Sequence, residues 1–173
     1  MCNANTTAVD KLIGEVIVNV FKHCSITFTD IVYVFGGYNE AKIKHCEKFT
    51  NGKWDAIADM HKEAHDLGCA AYGHKIYVAG DGSTYFEEYD PHRDQFNLLG
   101  IKTIGKGSYT SMVCVGESIL VFSNKVLNRL DVRNESMEKI ADLPPEGDWR
   151  CPFIPVLDGD SVYLLHGGKV LYK

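Results

Sequence analysis

Ile31-Val-Tyr33-Val-Phe-Gly36-Gly37 is a short apolar run that ends in paired glycines. Runs of the same kind return three times along the chain: Ile76-Tyr77-Val-Ala-Gly80-Asp81, Ile119-Leu120-Val-Phe-Ser123 and Val162-Tyr163-Leu-Leu-His-Gly167-Gly168. The spacings between Tyr33, Tyr77, Leu120 and Tyr163 are 44, 43 and 43 residues. Short apolar runs at so regular a period predict an array of similar units, none of which can bury its faces alone. Function is therefore expected in the loops and surfaces that the array presents.

The second unit shows the predicted content of a repeat. Four segments rich in apolar or β-forming residues are separated by turn residues such as Gly73-His74 and Asp90-Pro91: Gly68-Cys-Ala-Ala-Tyr72, Lys75-Ile-Tyr-Val-Ala79, Thr84-Tyr-Phe-Glu-Glu-Tyr89 and Gln95-Phe-Asn-Leu-Leu99. Four short strands joined by tight turns, and then repeated, are typical of the blades of a β-propeller. The sequence thus predicts an all-β fold.

The end of each unit carries apolar residues at a spacing of three. Trp54, Ile57 and Met60 show this spacing in the first unit, and Ile140 and Leu143 continue it after Met137 in the third. The spacing also fits a helix, but the segments are short and follow turns such as Asn51-Gly52. We therefore predict an outer strand that covers the interface with the next blade.

These residues resemble the kelch repeats, in which a strand ends in Gly-Gly and an aromatic residue, a Trp and an apolar-to-Met run follow. The resemblance covers residues 23–173 and weakens along the chain. The matching positions are Gly36-Gly37, Phe49, Trp54 and Met60 in the first unit, and Gly80, Tyr89-Asp90 and Phe96 in the second. In the third unit, Ser123-Asn124 replaces the Gly-Gly pair and Met137 replaces the Trp. The paired glycines suit a crowded exit from the second strand that requires positive φ.

The resemblance implies a kelch-type β-propeller with about three complete four-stranded blades and a partial one. The expected blades are residues 23–60, 67–102, 108–143 and 150–173, after an N-terminal segment, residues 1–22, that is a closing strand or a linker. Kelch propellers usually have five to seven blades, so the sequence does not decide how the ring is completed. Three alternatives remain: the chain is part of a larger propeller, it pairs with a second chain that completes the ring, or a strand from Val9 to Val20 closes the ring.

Composition excludes several classes of function. The net charge is −5 and Lys and Arg are scattered, so no nucleic acid is expected as a partner. The chain has no stretch of about 20 apolar residues that would span a membrane. Its first residues lack the pattern of a signal peptide. We therefore expect a cytoplasmic protein without membrane association.

The six cysteines do not form an obvious disulfide framework. Cys24, Cys69 and Cys114 recur at about the repeat period inside apolar runs, where Cys behaves as a small buried hydrophobe. Cys2, Cys46 and Cys151 have no evident partner in the sequence. A reduced intracellular set is the prediction.

His61-x-x-x-His65, with Glu63 and Asp66 nearby, has the spacing of metal ligands on one face of a helix. The segment lies between two units, where helical geometry is not expected, so we predict a solvated loop. Some kelch-type propellers are copper or iron enzymes, but the sequence shows no matching cluster of ligands. The chain is therefore expected to be no enzyme and to use no cofactor and no metal.

The kelch resemblance implies a binding face. Loops that join the second strand to the third, and the fourth strand to the next blade, commonly grip a partner peptide in this family. Carried over to this chain, the partner-binding residues are Tyr38, Asn39, Glu40, His65, Asp81, Ser83, Tyr109, Trp149 and Arg150. Arg150 lies thirteen residues before Tyr163, as an Arg does in many kelch adaptors. Val20, Ala64 and Gly107 take that place in the other units, so a ring of arginines is lacking.

The function implied is that of a protein-interaction module that displays loops to a partner protein or peptide. Substrate recognition for a cullin-type ubiquitin ligase is one such role, and association with actin and the cytoskeleton is an alternative. Self-association that completes the ring is a further expected interaction. A metal-dependent propeller enzyme is the alternative from another functional class.

Overall fold

The computed structural model describes residues 22–83, 85–102, 109–143, 154–159, 161–166 and 169–172. In these residues fifteen strands form four antiparallel sheets, which we number 1 to 4 along the chain. Sheet 1 holds β1 (Cys24–Phe28), β2 (Ile31–Asn39), β3 (Ala41–Thr50) and β4 (Lys53–Ile57). Sheet 2 holds β5 (His65–Tyr72), β6 (Lys75–Asp81), β7 (Tyr85–Asp90) and β8 (Gln95–Lys102). Sheet 3 holds β9 (Thr110–Val115), β10 (Ser118–Ser123), β11 (Val126–Asp131) and β12 (Ser136–Asp142). Sheet 4 holds β13 (Ile154–Asp158), β14 (Ser161–His166) and β15 (Lys169–Tyr172).

Within each sheet the strands are neighbours in the order in which the chain makes them. Successive sheets meet along their first strands, because β1 contacts β5, β5 contacts β9 and β9 contacts β13. Three four-stranded sheets are thus followed by one with three strands in its described part. The prediction of an all-β, propeller-like fold is confirmed. The outer segments that contain Trp54 and Met137 belong to strands β4 and β12, as expected, and not to helices.

The core lies between the sheets and not within any of them. Since successive side chains of a strand point to opposite faces, sheets 2 and 3 each present an apolar face to both of their neighbours. Tyr33 and Phe35 of sheet 1 pack with Tyr89 and Phe96 of sheet 2, and the rings of Phe35 and Tyr89 are 5.7 Å apart. A second cluster joins sheets 2 and 3 through residues such as Phe86, and a third joins sheets 3 and 4. Adjacent sheets therefore depend on each other for their buried surface.

The paired glycines near the C-terminal end of β2 are required by close packing. Both have positive φ, 52° at Gly36 and 115° at Gly37. A Cβ atom on Gly36 would lie 2.6 Å from Met60 Cε and 2.7 Å from Leu67 Cδ1. Met60 belongs to the segment that crosses from sheet 1 to sheet 2. The glycines thus let the crossing segment lie directly on β2, which is the crowded exit that the sequence predicts.

The crossing segment, residues 58–64, is held to sheet 1 by backbone hydrogen bonds. The N–H of Gly37 donates to the carbonyl of Ala64 at 2.9 Å, and the N–H of Met60 donates to the carbonyl of Lys44 at 3.0 Å. At its start, the N–H of Ala58 donates to Oδ1 of Asp94, in the turn between β7 and β8 of sheet 2, at 2.9 Å. The segment is therefore fixed to both sheets, and it positions the first residue of β5.

Two of the differences between the predicted and the observed strand limits concern residues predicted for partner binding. β2 continues to Asn39, so Tyr38 and Asn39 lie in a strand and only Glu40 forms the loop to β3. β5 begins at His65 instead of Gly68, with an irregular register between these two residues. In both cases the chain extends a strand beyond the apolar run, because backbone pairing continues past the residues that the core needs.

The positions of the cysteines in the strands also differ from the sequence prediction. Cys24 pairs with Phe35, which is two residues after the landmark Tyr33, whereas Cys69 pairs with Val78, one residue after the landmark Tyr77. A shift of one residue turns a side chain to the other face of a sheet. The expected equivalence of these cysteines in successive units is therefore not observed. Cys24, Cys46, Cys69 and Cys114 hold free thiols.

Several predicted features lie outside the described residues: the strand proposed for Val9 to Val20, the loop with Trp149 and Arg150, and Cys2 and Cys151. Within the described part of the chain, no helix has the length and apolar character needed to cross a membrane.

Candidate functional site

The two ends of the sheets differ in their connections. At one end, β1 joins β2 and β5 joins β6 through turns of two residues, such as Gly73-His74. At the other end lie the β2–β3 and β6–β7 connections and the crossing segment, residues 58–64. We call this second end the loop end. Since binding residues concentrate in irregular loops held by a rigid scaffold, the loop end is where a site is expected.

Tyr38 is placed by the hairpin between β2 and β3. It pairs with Lys42, and Asn39 pairs with Ala41, so that Glu40 alone forms the tip with a φ of 59°. Tyr38 is half-buried, while Asn39 and Glu40 are exposed. The hairpin therefore presents the side chains of Tyr38 and Lys42 at the loop end of sheet 1.

His65 and Asp81 are placed by the first and last residues of two neighbouring strands. His65 starts β5, Asp81 ends β6, and the two residues are paired in register. Asp66 follows with a φ of 51°, and its N–H donates to the carbonyl of Lys22 at 2.9 Å. This local departure from strand geometry directs Asp66 toward sheet 1. The loop end of sheet 2 thus brings one imidazole and two carboxylates beside the hairpin of sheet 1.

Six side chains from the two sheets meet at this point, and we call them the junction cluster: Lys22, Tyr38, Lys42, His65, Asp66 and Asp81. Nζ of Lys42 lies 2.9 Å from Oδ2 of Asp81. Nζ of Lys22 lies 3.4 Å from Oδ2 of Asp66. The rings of Tyr38 and His65 have centroids 5.9 Å apart and are tilted by 56°. The cluster joins sheet 1 to sheet 2 through two ion pairs and one ring contact.

His65 lies between the two carboxylates. Its Nδ1 is 2.9 Å from Oδ2 of Asp66, and its Nε2 is 3.8 Å from Oδ2 of Asp81. Among the described residues, neither Nδ1 of His65 nor Oδ1 of Asp66 has a hydrogen-bond partner, although both atoms are buried. The contact of His65 with Asp66 is therefore close but does not have the geometry of a hydrogen bond.

Exposure divides the junction cluster into a base and a rim. Asp66, His65 and Asp81 have side chains that are only 6%, 14% and 15% exposed, whereas those of Lys22 and Lys42 are 43% and 37% exposed. The carboxylates thus form a buried base that holds two ammonium groups at the surface. A surface of this kind offers fixed donors and one aromatic ring to a partner.

The backbone beneath the cluster is closely packed. Gly82 has a φ of 104°, and a Cβ atom there would lie 2.6 Å from the carbonyl oxygen of Glu63. The β6–β7 connection therefore lies against the crossing segment without room for a side chain. Because the two loops support each other, the ion pairs above them are held in place.

Beside the cluster, a second histidine, His61, joins the crossing segment to sheet 2. Both the N–H and Nδ1 of His61 lie 2.8 Å from Oε2 of Glu87 in β7. The side chain of Glu87 is only 2% exposed. His61 and His65 thus face different carboxylates and do not converge on one point. In the described residues, no group of three or more His, Cys, Asp or Glu side chains is arranged to hold a metal ion.

The other residues predicted for partner binding are dispersed. Ser83 is buried, and its hydroxyl donates to the carbonyl of Tyr85, so it supports the loop from within. Tyr109 is half-buried and immediately precedes β9. Trp149 and Arg150 lie outside the described residues.

The structure thus brings Tyr38, His65 and Asp81 together and adds three residues that sequence reasoning did not assign to a binding site. Lys42 had a detectable signal, because it lies near the hairpin tip, while Lys22 had none. In the sequence, Asp66 was noticed only for its place beside the metal-ligand spacing of His61 and His65. Glu87 was missed too, although a charged residue within an apolar strand segment is a usable sign of a buried ion pair.

No family model matches the chain, and no curated protein matches it. Among solved structures, 129 chains are similar. One of these, YjhT, has a TM-score of 0.72 and 16% sequence identity, over 89% of this chain and 59% of that chain. The chain therefore spans about three fifths of the length of YjhT. At this identity the similarity concerns the fold alone.

Proposed function

We propose that this chain is a kelch-type propeller, or a large part of one, that acts as a non-catalytic protein-interaction module. Its loop end docks a partner protein at the junction cluster. One observation carries the proposal: residues from adjacent sheets place an aromatic ring, two partly exposed ammonium groups and two carboxylates side by side. The kelch assignment itself is supported by the repeated units and by the glycine pair that admits the crossing segment.

Recognition follows from the division between base and rim. The ring of Tyr38 supplies a rigid apolar contact with a hydroxyl at its edge, which is the kind of residue that dominates binding energy in interfaces. Lys22 and Lys42 donate hydrogen bonds to carbonyl or carboxylate groups of the partner. Because Asp66 and Asp81 already fix these ammonium groups, less side-chain freedom is lost on binding.

The kelch resemblance extends the proposal to the partner's role. A protein substrate that the module presents to a cullin-type ubiquitin ligase in the cytoplasm is the partner that this resemblance favours. The surface fits such a substrate because it offers hydrogen-bond donors and an aromatic ring. These donors are lysines, since the junction cluster contains no arginine.

The test is quantitative affinity purification from cells that express the protein. Wild type is compared with Tyr38→Ala, Asp81→Ala and a control, His74→Ala. His74 is exposed in the turn that follows β5, at the opposite end of the strand that His65 begins. The partner's recovery is expected to fall in both cluster variants and to stay at the wild-type level in the control.

Binding constants for the purified partner then decide the proposal. An anchor residue contributes about 2 kcal/mol, so Tyr38→Ala is expected to weaken binding by about 30-fold. Equal affinities of wild type and both cluster variants, with all proteins folded, would overturn the proposed docking site. Turnover of a substrate by the purified chain would overturn its non-catalytic character.

A further inference from the structure

Two cysteines face each other across the interface of sheets 1 and 2. Cys24 lies opposite Phe35 on β2, and Cys69 lies opposite Val78 on β6. Residues that are directly opposite in a sheet share a face, and both Phe35 and Val78 belong to the core cluster between these two sheets. Cys24 is therefore directed from sheet 1 toward sheet 2, and Cys69 is directed from sheet 2 toward sheet 1.

The spacing of the two cysteines explains this arrangement. The landmarks Tyr33 and Tyr77 are 44 residues apart, whereas Cys24 and Cys69 are 45 residues apart. The additional residue reverses the direction of the second thiol. A spacing of 44 residues would have placed both thiols on equivalent faces of their sheets, with a whole sheet between them. The chain instead places them in one interface.

The contacts around the two thiols also indicate that they lie close to each other. β1 and β5 lie side by side, and Cys69 packs against the core cluster that contains Cys24. Both cysteines also line the groove along the first strands of sheets 1 to 3. Burial raises the pKa of the Cys24 thiol well above its usual value, and a hydrogen bond and the charge of Cys69 raise this pKa further.

We propose that Cys24 and Cys69 form a thiol pair that a two-electron oxidant, such as hydrogen peroxide, converts into a disulfide between the first strands of sheets 1 and 2. Cys69 is half-buried and Cys24 only 7% exposed, so the oxidant reacts first at Cys69. Both thiols are free in the structure, which is the reduced state of the pair. Reversible disulfides of this kind are known as redox sensors in reducing compartments.

The reaction proceeds in two steps. The sulfur of Cys69 attacks one oxygen of the peroxide, the O–O bond breaks, and the leaving hydroxide takes the thiol proton to form water. The sulfur of Cys24 then attacks the sulfur of the resulting sulfenic acid. The S–O bond breaks, and the leaving hydroxide takes the proton of Cys24 as a second water. Two thiols and one peroxide thus give one disulfide and two waters.

The disulfide would join strands that lead directly to the junction cluster. Cys24 follows Lys22 by two residues, and Cys69 follows Asp66 by three residues. A covalent link at this place fixes the separation of the two sheets beneath the cluster. Oxidation therefore stabilises the junction, whether or not the cluster serves for docking.

The test is a peptide map of the folded protein after treatment with hydrogen peroxide. Remaining thiols are blocked with iodoacetamide, and peptides are identified by mass spectrometry without reduction. The expected product is a peptide pair linked through Cys24 and Cys69, which disappears when dithiothreitol is added. Oxidised wild type is also expected to melt at a higher temperature than reduced wild type.

Variants separate this pair from the other cysteines. Cys24→Ser and Cys69→Ser are each expected to lose the linked peptide and the rise in melting temperature. Cys114→Ser is the matched control, because Cys114 lines the same groove but lies opposite Ile119 in sheet 3. It is expected to behave as wild type. Oxidation of Cys69 in wild type to sulfinic acid, or its linkage to any cysteine other than Cys24, would overturn the proposal, and this result does not require the variants to fold.

Discussion

Nζ of Lys42 lies 2.9 Å from Oδ2 of Asp81, so one ion pair joins the β2–β3 hairpin of sheet 1 to the end of β6 in sheet 2. The pair spans the loop end, where the crossing segment passes from one sheet to the next. Its geometry is fixed by packing beneath it, at Gly82. The two residues thus link the scaffold of the fold to the surface that we propose for docking.

This ion pair is expected to matter more for binding than for stability. The side chain of Lys42 is 37% exposed, and the carboxylate of Asp81, only 15% exposed, keeps its contact with His65 when Lys42 is removed. Lys42→Ala and Asp81→Ala should therefore each lower the free energy of unfolding by about 1 kcal/mol. Partner affinity should fall by about tenfold in each variant, because a positioned donor is lost. Urea unfolding and titration calorimetry measure the two effects, with His74→Ala as the control. A large loss of stability without loss of affinity would assign the pair to the scaffold.

The glycine pair supports a prediction about folding. Gly36→Ala should destabilise the protein by about 2–4 kcal/mol, because it combines a positive φ with a Cβ atom in contact with Met60 and Leu67. The control is Gly52→Ala, which also has positive φ but no atom within 4 Å of the added Cβ. This control should cost only about 1–2 kcal/mol. Equal losses in urea unfolding would mean that the crossing segment does not press on Gly36.

The contact of His61 with Glu87 predicts unequal effects of its two partners. Glu87→Ala removes the acceptor of both the N–H and Nδ1 of His61, so a cost of about 1–3 kcal/mol is expected. His61→Ala retains the bond from the N–H to Glu87, and its cost should be below about 1 kcal/mol. Chemical unfolding of the two variants compares them directly. A larger loss in His61→Ala than in Glu87→Ala would contradict the structure.

Cys46 predicts how stability depends on pH. Burial of its thiol raises the pKa from the usual 9.0 to about 12, since the thiolate is poorly solvated there. A raised pKa means that the unfolded chain loses this proton first. The associated stability is therefore fully present below pH 9 and decreases as the pH rises toward 12. The free energy of unfolding of wild type should fall with pH more steeply than that of Cys46→Ala, by up to about 1.4 kcal/mol per pH unit. Identical slopes in this range would contradict the assigned burial.

The fold could be predicted from sequence because its decisive residues are local. Gly36-Gly37 and the apolar residues before them mark the end of a second strand, and their recurrence reveals the number of sheets. The limits of strands were less accurate. Tyr38 and His65 extend their strands through backbone pairing, which depends on neighbouring strands and not on the residue itself.

The site could be predicted only in part. Tyr38, His65 and Asp81 were expected in partner-binding loops because the kelch resemblance implies a binding face there. Asp66 reaches sheet 1 through a positive φ, a backbone conformation that its residue type does not specify. The facing pair of Cys24 and Cys69 depends on a single residue of spacing, and a period measured in sequence alone is not exact enough to show it.

Site-specific photo-cross-linking tests the central claim most directly. A photoreactive amino acid replaces Tyr38 in one variant and His74 in another, and both are irradiated in cells that express the protein. The account predicts that a defined partner protein is cross-linked through position 38 and not through position 74. Cross-linking of the same partner through position 74 alone would contradict docking at the junction cluster.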